Sequence, residues 1–313
     1  MALRANKRAD NKGQKYLRPD DLAYFKNMHF SSRVVVDGAY SGKHKSPLKG
    51  YSQEFTDYRE YNPGDEIRTI DWKAYARTDK YIIKLFEKET VMTCHLLLDS
   101  SASMGFGGEG YEKYFGADDI SKYDYACYFA AALSYLTIKQ GDKVGLTVFD
   151  SKIKYHFPPG GTFGHLYKML SILENNKTGD QTSISQTLRQ AFPMYKRRGI
   201  LIVISDLLDD PDKIFEALDL YRHRNFEVIL FHVLHKYELT LPDIPSVNFI
   251  DSETDEKLSS IPAEIRGPYQ RELAEYIDTI ATTARDRKID YQLISTETPY
   301  VAALQEYMER RRA

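Results

Sequence analysis

The chain has 313 residues and a formal net charge of −2, so its overall electrostatics do not make it a general binder of polyanions. Apolar residues make up 42% of the sequence and charged residues 28%, the balance of a globular protein. No apolar run approaches the roughly 20 residues of a membrane-spanning helix, and the N-terminus lacks the apolar segment of a signal peptide. These features predict a cytoplasmic protein without a membrane span.

The first 90 residues differ in character from the rest of the chain. Residues 1–18 are basic, with Asp10 as their one acidic residue. This composition predicts a flexible tail, and the alternative is an electrostatic arm for anionic lipid or nucleic acid. Residues 19–90 contain short extended pieces at 32–37, 53–61 and 80–87, separated by turn signals such as Pro63-Gly64. We predict that residues 19–90 form a small β-rich module packed on the main domain.

From residue 91 onward, apolar strand-like runs alternate with amphipathic helical stretches. Strands are predicted at 91–98, 199–205, 226–234, 247–250 and 290–294, a hairpin at 144–149 and 153–157, and helices at 121–140, 163–174, 184–192, 211–221, 268–288 and 299–311. Continuous apolar strands are typical of sheets covered on both faces. The predicted fold class is therefore α/β, with a mainly parallel sheet and helices on both faces over residues 91–313. Cys94 and Cys127 lie within such apolar stretches, which predicts buried free thiols rather than a disulfide.

Oxygen-bearing side chains follow two of these strands. Asp99 ends the first strand, and Ser101 and Ser103 follow at alternate positions. Asp206 directly follows the strand at 199–205, and Thr182 lies in the polar loop before the helix that leads into that strand. The ends of parallel strands meet at one edge of a sheet, where such folds bind ligands. Carboxylate and hydroxyl oxygens suit a hard cation such as Mg²⁺, so we predict a divalent-metal site there.

This arrangement resembles the metal-ion-dependent adhesion site of von Willebrand factor A domains. The resemblance covers roughly residues 91–313 and implies a von Willebrand factor A-like, Rossmann-like fold. It implies that Ser101, Ser103 and Thr182 bind Mg²⁺ or Mn²⁺ directly, and that Asp99 and Asp206 act through water. Thr178 and Ser183 are close to Thr182 and are alternatives for the third hydroxyl.

The upstream segment resembles a bacterial family of uncharacterised proteins, domain of unknown function 58. The resemblance rests on Gly50-Tyr-Ser-Gln-Glu54-Phe55, Asp57, Arg59-Glu-Tyr61, Pro63-Gly-Asp65, Arg68 and Ile70-Asp71-Trp72-Lys-Ala-Tyr-Ala-Arg77. Members are often encoded beside MoxR-type AAA+ ATPases, which implies such an ATPase as a partner. The interleaved acids, arginines and aromatics fit either a structural ion-pair network or a partner-docking face.

The predicted site favours binding over catalysis. An ion held mainly by neutral hydroxyls remains electron-poor and attracts an added carboxylate from a partner. The sequence identifies no general base, and His232 and His235 lie on a predicted strand without the clustered ligands of a zinc site. We therefore predict a metal-dependent protein-interaction module, an adaptor or partner of a MoxR-type ATPase or of its client, and not an enzyme. The alternative is a Mg²⁺-dependent phosphoester hydrolase with Asp99 or Asp206 as base or nucleophile. A nucleic-acid partner is not expected, because no recognition motif accompanies the basic clusters.

Overall fold

The computed structural model describes residues 15–28, 30, 53–65, 67–88, 91–108, 120–179, 183–196, 198–242, 247–250 and 257–312. The chain divides into two compact units, the smaller at Val34–Val91 and the larger formed by Met1–Arg33 together with Met92–Ala313. The smaller unit thus begins at Val34, whereas the sequence analysis places the start of the module at residue 19. That the module packs on the main domain stays a prediction.

The helices and strands alternate along most of the chain. In chain order they are α1 (Pro19–Leu22), β1 (Gln53–Glu60), α2 (Trp72–Thr78), β2 (Ile82–Lys88), β3 (Thr93–Asp99), α3 (Lys122–Lys139), β4 (Lys143–Phe149), β5 (Ile153–Gly160), α4 (Phe163–Asn175), α5 (Ile184–Ala191), β6 (Ile200–Ser205), α6 (Pro211–His223), β7 (Glu227–Leu234), α7 (Lys236–Thr240), β8 (Val247–Ile250), β9 (Lys257–Ser260), α8 (Pro262–Asp286), β10 (Asp290–Ser295) and α9 (Tyr300–Arg312).

A six-stranded sheet forms the centre of the larger unit, with the strand order β10-β7-β6-β3-β4-β5. All neighbouring strands are parallel except β4 and β5, which form the predicted antiparallel hairpin. The order reverses between β3 and β6, because the chain runs from β3 toward one edge and from β6 toward the other. This is a doubly wound sheet, and ligands bind such sheets beyond the strand ends at the reversal.

Both faces of the sheet are covered, as the continuous apolar strands predict. One face packs against α3, α4 and α9, and the other against α5, α6 and α8. Successive strand residues therefore enter different cores, as Leu230 and Phe231 do on β7. The predicted α/β fold class is confirmed. Cys94 and Cys127 are free and buried, as predicted. No helix among the described residues has both the length and the apolar character that crossing a membrane requires.

Residues 15–28 belong to the larger unit and contact α3. Lys15 Nζ and the Tyr16 hydroxyl both donate to Asp124 Oδ1, at 2.7 and 2.6 Å. Arg18 donates to the Tyr128 hydroxyl at 2.9 Å. The predicted flexible tail, residues 1–18, therefore includes four residues that pack against the domain, while residues 1–14 lie outside the described residues.

The smaller unit contains a helix that the sequence analysis did not predict. Strands β1 and β2 pair antiparallel, and α2 lies between them in sequence. Asp71 caps α2 by accepting hydrogen bonds from the backbone N–H groups of Lys73 and Ala74. Arg59 pairs with Asp65 at 3.0 Å, one of the charge contacts of the predicted network. The module is therefore of mixed α/β content in its described part, and the extended piece predicted at 32–37 lies outside it.

Candidate metal centre at the strand ends

The candidate site lies where the strand order reverses. Asp99 is the last residue of β3, and Asp206 follows the last residue of the adjacent strand β6. Both side chains are fully buried. The two carboxylates are close enough for their charges to interact, although 107 positions of the sequence separate the two residues. The structure therefore brings the ends of β3 and β6 together, as predicted.

The loop after β3 brings the two serines to the same point. Ser101 N–H donates to Asp99 Oδ1 at 2.9 Å, which turns the chain immediately after the strand. A single 3₁₀ turn at Ser103–Gly105 follows. The hydroxyls of Ser101 and Ser103 lie 3.1 Å apart, and the Ser103 hydroxyl also hydrogen-bonds Asp206. Asp99, Ser101, Ser103 and Asp206 thus converge, as the sequence predicts, and their role as metal ligands stays a prediction.

The fifth predicted residue, Thr182, lies outside the described residues. The segment just before it does reach the site, because Gly179 N–H donates to the carbonyl of Ser100 at 3.1 Å. Thr178 also lies against this loop, since its Oγ1 is 3.1 Å from the position that a Cβ on Gly105 would occupy. The loop before α5 is therefore placed to contribute a hydroxyl, and Thr178 remains the alternative to Thr182.

Ser205 is a positioning residue that the sequence analysis missed. Its hydroxyl donates to Asp99 Oδ2 at 2.6 Å and accepts the N–H of Leu207 at 2.9 Å. Leu207 adopts a left-handed backbone conformation, with a φ of 55°. Ser205 therefore joins the two strand ends and orients Asp99. The available sequence signal was its position directly before Asp206.

Lys122 is the second missed residue and the largest departure from expectation. It begins α3, whose N-cap is Ser121, and its side chain is fully buried. Its ammonium group donates to Asp206 Oδ2 at 2.8 Å and to Glu238 Oε1 at 2.5 Å. Glu238 in turn accepts the backbone N–H of His235 and so caps the short helix α7. A buried cation therefore bridges the candidate site to a third strand end, that of β7.

Burial and charge shift the ionisation of this cluster in opposite directions. Burial and the nearby Asp206 carboxylate raise the pKa of Asp99 to about 7. Burial also opposes ionisation of Asp206, but Lys122 outweighs it and holds the pKa of Asp206 below its usual value. Burial alone would lower the pKa of Lys122, yet Asp206 and Glu238 raise it. Asp206 and Glu238 thus share the ammonium group of Lys122, whereas Asp99 is held by the Ser205 hydroxyl and the Ser101 N–H.

The residues present fit a hard divalent cation. Mg²⁺–O distances of about 2.0–2.1 Å give an octahedron with an edge of about 2.9 Å, close to the 3.1 Å between the Ser101 and Ser103 hydroxyls. Within the described ranges, no group of three or more His, Cys, Asp or Glu side chains could hold a metal ion by itself, so an ion at this site would need the serine hydroxyls as ligands.

An open groove of about 610 Å³ adjoins the site. Three lysines contribute to its lining: Lys152, Lys154 and Lys177. Lys154 pairs with the buried Asp150 at 2.9 Å and donates to the Ser100 hydroxyl at 3.3 Å. Through Lys154 the groove borders the loop at residues 100–103, here called the serine loop, and its lysines present positive charge, which suits an acidic segment.

The glycine that follows the serine loop is expected to be intolerant of a side chain. Gly107 has a φ of +84°, and an added Cβ would lie 2.5 Å from Nε2 of the buried His235. We expect Gly107→Ala to lower the free energy of unfolding by about 3 kcal/mol in urea titrations. Gly141→Ala is the matched control, because Gly141 has a φ of +85° with no atom within 4 Å of the added Cβ. It should cost about 1 kcal/mol, and equal losses at the two positions would show that the loop does not pack on His235.

The doubly wound sheet and the hydroxyl- and acid-rich loop at its reversal define a von Willebrand factor A-like protein. The family model described as "Protein of unknown function DUF58" matches residues 57–277, and the chain belongs to that family. The uncharacterised proteins Rv1480 of Mycobacterium tuberculosis and Mb1516 of Mycobacterium bovis are each 25% identical to it over 301 residues, which cover 94% of this chain and 90% of each relative. The family resemblance found in the sequence is confirmed.

Solved structures of similar fold cover about 70% of the chain. The conserved hypothetical protein BatB of Bacteroides thetaiotaomicron is 17% identical, covering 71% of this chain and all of that one, with a TM-score of 0.40. A crystal structure described as the SpRpn10 VWA domain is 10% identical, covering 70% of this chain and 95% of that one, with a TM-score of 0.38.

Proposed function

We propose that this protein is a metal-dependent interaction module that binds an acidic side chain of a protein partner in the cytoplasm. Mg²⁺ or Mn²⁺ would be held by Ser101, Ser103 and a hydroxyl of the loop that contains Thr182, with Asp99 and Asp206 as the accompanying acids. The observation that carries the proposal is the convergence of Asp99, Ser101, Ser103 and Asp206 at the sheet reversal.

The electrostatics of the site support an acidic ligand. Lys122 already neutralises part of the charge of Asp206, so an ion at the serine hydroxyls receives little negative charge from that residue. An ion poor in negative ligands binds an external carboxylate well. The lysine-lined groove beside Ser100 favours the same partner chemistry, because it attracts further acidic residues on either side of the bound one.

The proposed partner is a MoxR-type AAA+ ATPase or its client, with this protein as the adaptor. The family resemblance is the reason for this choice of partner. The alternative of phosphoester hydrolysis gains no support from the geometry, because Ser205, Ser101 N–H and Lys122 already engage the carboxylates of Asp99 and Asp206 that would have to act as base or nucleophile. We propose binding without catalysis.

The test is a calorimetric titration of the full chain against a MoxR-type ATPase from the same cell. We expect binding in Mg²⁺ or Mn²⁺ and its loss in EDTA. Asp99→Ala and Ser101→Ala should each weaken binding on the order of tenfold or more, because each removes part of the ion's surroundings. Ser151→Ala is the matched control, since Ser151 lies in the loop after the neighbouring strand β4 and should leave affinity unchanged.

A double-mutant cycle identifies the partner residue. Replacing the Glu or Asp of the partner that binds the ion should weaken binding as much as Ser101→Ala does, and the two changes together should add little more. Full-strength binding in EDTA would contradict the proposal. It would direct attention to the smaller unit, where Trp72, Tyr81 and Ile67 are exposed.

A further inference from the structure

Burying the ammonium group of a lysine costs free energy unless the group pairs with a carboxylate. A buried lysine beside a candidate metal site therefore requires an explanation. Lys122 is fully buried and lies between two carboxylates, at 2.8 Å from Asp206 and 2.5 Å from Glu238. Asp206 is itself one of the residues placed around the ion. The Asp206 carboxylate therefore contacts both the ammonium group of Lys122 and the hydroxyl of Ser103.

We propose that Lys122 is a built-in cation that sets the metal affinity of this site and keeps its acids in place when no ion is bound. The inference rests on the proposed metal site and adds the residue that controls it. Two positive charges that share Asp206 repel each other across it, so the ammonium group lowers the affinity for the ion. Without the ion, the same ammonium group is the counter-charge that allows Asp206 and Glu238 to remain buried.

The connections of Lys122 make this role specific to it. Lys122 N–H also donates to the carbonyl of Phe106, so the base of the lysine is tied to the chain just beyond the serine loop. Glu238 Oε2 accepts the N–H of His235 at 2.7 Å, which ties the other end of the bridge to α7. Both ends of the lysine are therefore held in place. Its ammonium group stays beside Asp206 and Ser103, and the side chain does not rotate into solvent.

The experiment is a calorimetric titration of the full chain with Mn²⁺ alone, without a partner. Lys122→Met removes a positive charge and should tighten Mn²⁺ binding on the order of tenfold. Glu238→Gln removes a negative charge while keeping Lys122 on Asp206, and it should weaken Mn²⁺ binding severalfold. Opposite effects of the two variants on Mn²⁺ affinity would show that charge sets this affinity. If Lys122 had only a structural role, both variants would bind Mn²⁺ more weakly.

Lys213→Met is the matched control. It also removes a lysine that pairs with an acid, Asp210 at 3.1 Å, but both side chains of this pair are exposed. Its effect on the Mn²⁺ dissociation constant should stay below about threefold, because solvent screens its charge.

The outcomes separate this inference from the proposed function. If the wild type binds Mn²⁺ and Lys122→Met binds it equally or more weakly, the inference is overturned and the metal site stands. If neither protein binds Mn²⁺, both proposals are overturned. If only Lys122→Met binds, the inference holds and metal dependence of the natural protein is overturned. Should Lys122→Met fail to fold, Glu238→Gln decides: weaker binding supports the inference, and unchanged or tighter binding overturns it.

Discussion

In EDTA, Lys122→Met should lower the free energy of unfolding by about 3–5 kcal/mol. The substitution leaves Asp206 and Glu238 in the interior without the ammonium group that both contact. Urea titrations followed by circular dichroism would measure the loss. Most of the described helices belong to the larger unit and dominate the circular dichroism signal, whereas the single tryptophan, Trp72, belongs to the smaller unit.

Two comparisons show whether the loss comes from unbalanced charge. Combining Lys122→Met with Asp206→Asn and Glu238→Gln should recover most of the stability, because no buried charge is then left unpaired. Lys213→Met should leave the free energy of unfolding nearly unchanged, since the Lys213–Asp210 pair is exposed at the surface. A cost below about 1 kcal/mol for Lys122→Met would mean that the cluster relaxes or admits water, contrary to the geometry described.

The second large effect concerns the two covered faces of the sheet. Phe231→Ala should destabilise the larger unit by about 3–5 kcal/mol, and Leu230→Ala by about 2–5 kcal/mol. Phe231 packs against Phe129 and Tyr307, with ring centroids 4.6 and 4.8 Å away. Leu230 enters the other core, which α5, α6 and α8 cover. Adjacent residues of one strand should therefore both be intolerant of truncation.

Tyr155→Ala provides the control on the edge strand β5, where the side chain is 44% exposed. Surface changes of this kind usually alter stability by about 0.5 kcal/mol or less. Thermal or urea unfolding of the three variants would test the fold directly. If either Leu230→Ala or Phe231→Ala behaved like Tyr155→Ala, one face of the sheet would have to be open to solvent.

Local patterns in the sequence determined the fold class. The strands β3, β6 and β7 are mainly apolar, and each is buried along nearly its whole length. Burial of both faces leaves few positions for polar residues, so such strands can be recognised without knowledge of their neighbours. The serine spacing after Asp99 was also local, because a tight turn after a strand is enough to bring alternate side chains together.

Local sequence patterns predicted the boundaries of helices and the presence of short helices less well. Helix α8 begins at Pro262, whereas the sequence analysis begins it at 268. Proline is favoured in the first turn of a helix, yet here Pro262 occupies that turn and Pro268 lies inside the helix. The helix α2 depends on the Asp71 cap within a segment whose aromatics favour strands. Residues 15–18 read as a polar tail, because their partners on α3 lie more than a hundred positions away.

Only the tertiary structure revealed the charge balance of the site. Lys122 is separated from Asp206 by 84 positions and from Glu238 by 116, and by sequence alone it is one lysine at the start of a helix. Helix and strand periodicities describe which face a residue occupies, but they do not describe which distant side chain meets it there. The acids and hydroxyls could be predicted because strand ends share one edge of a parallel sheet. The position of Lys122 could not be predicted, because its ammonium group reaches that edge only through the way α3 packs against the serine loop and α7.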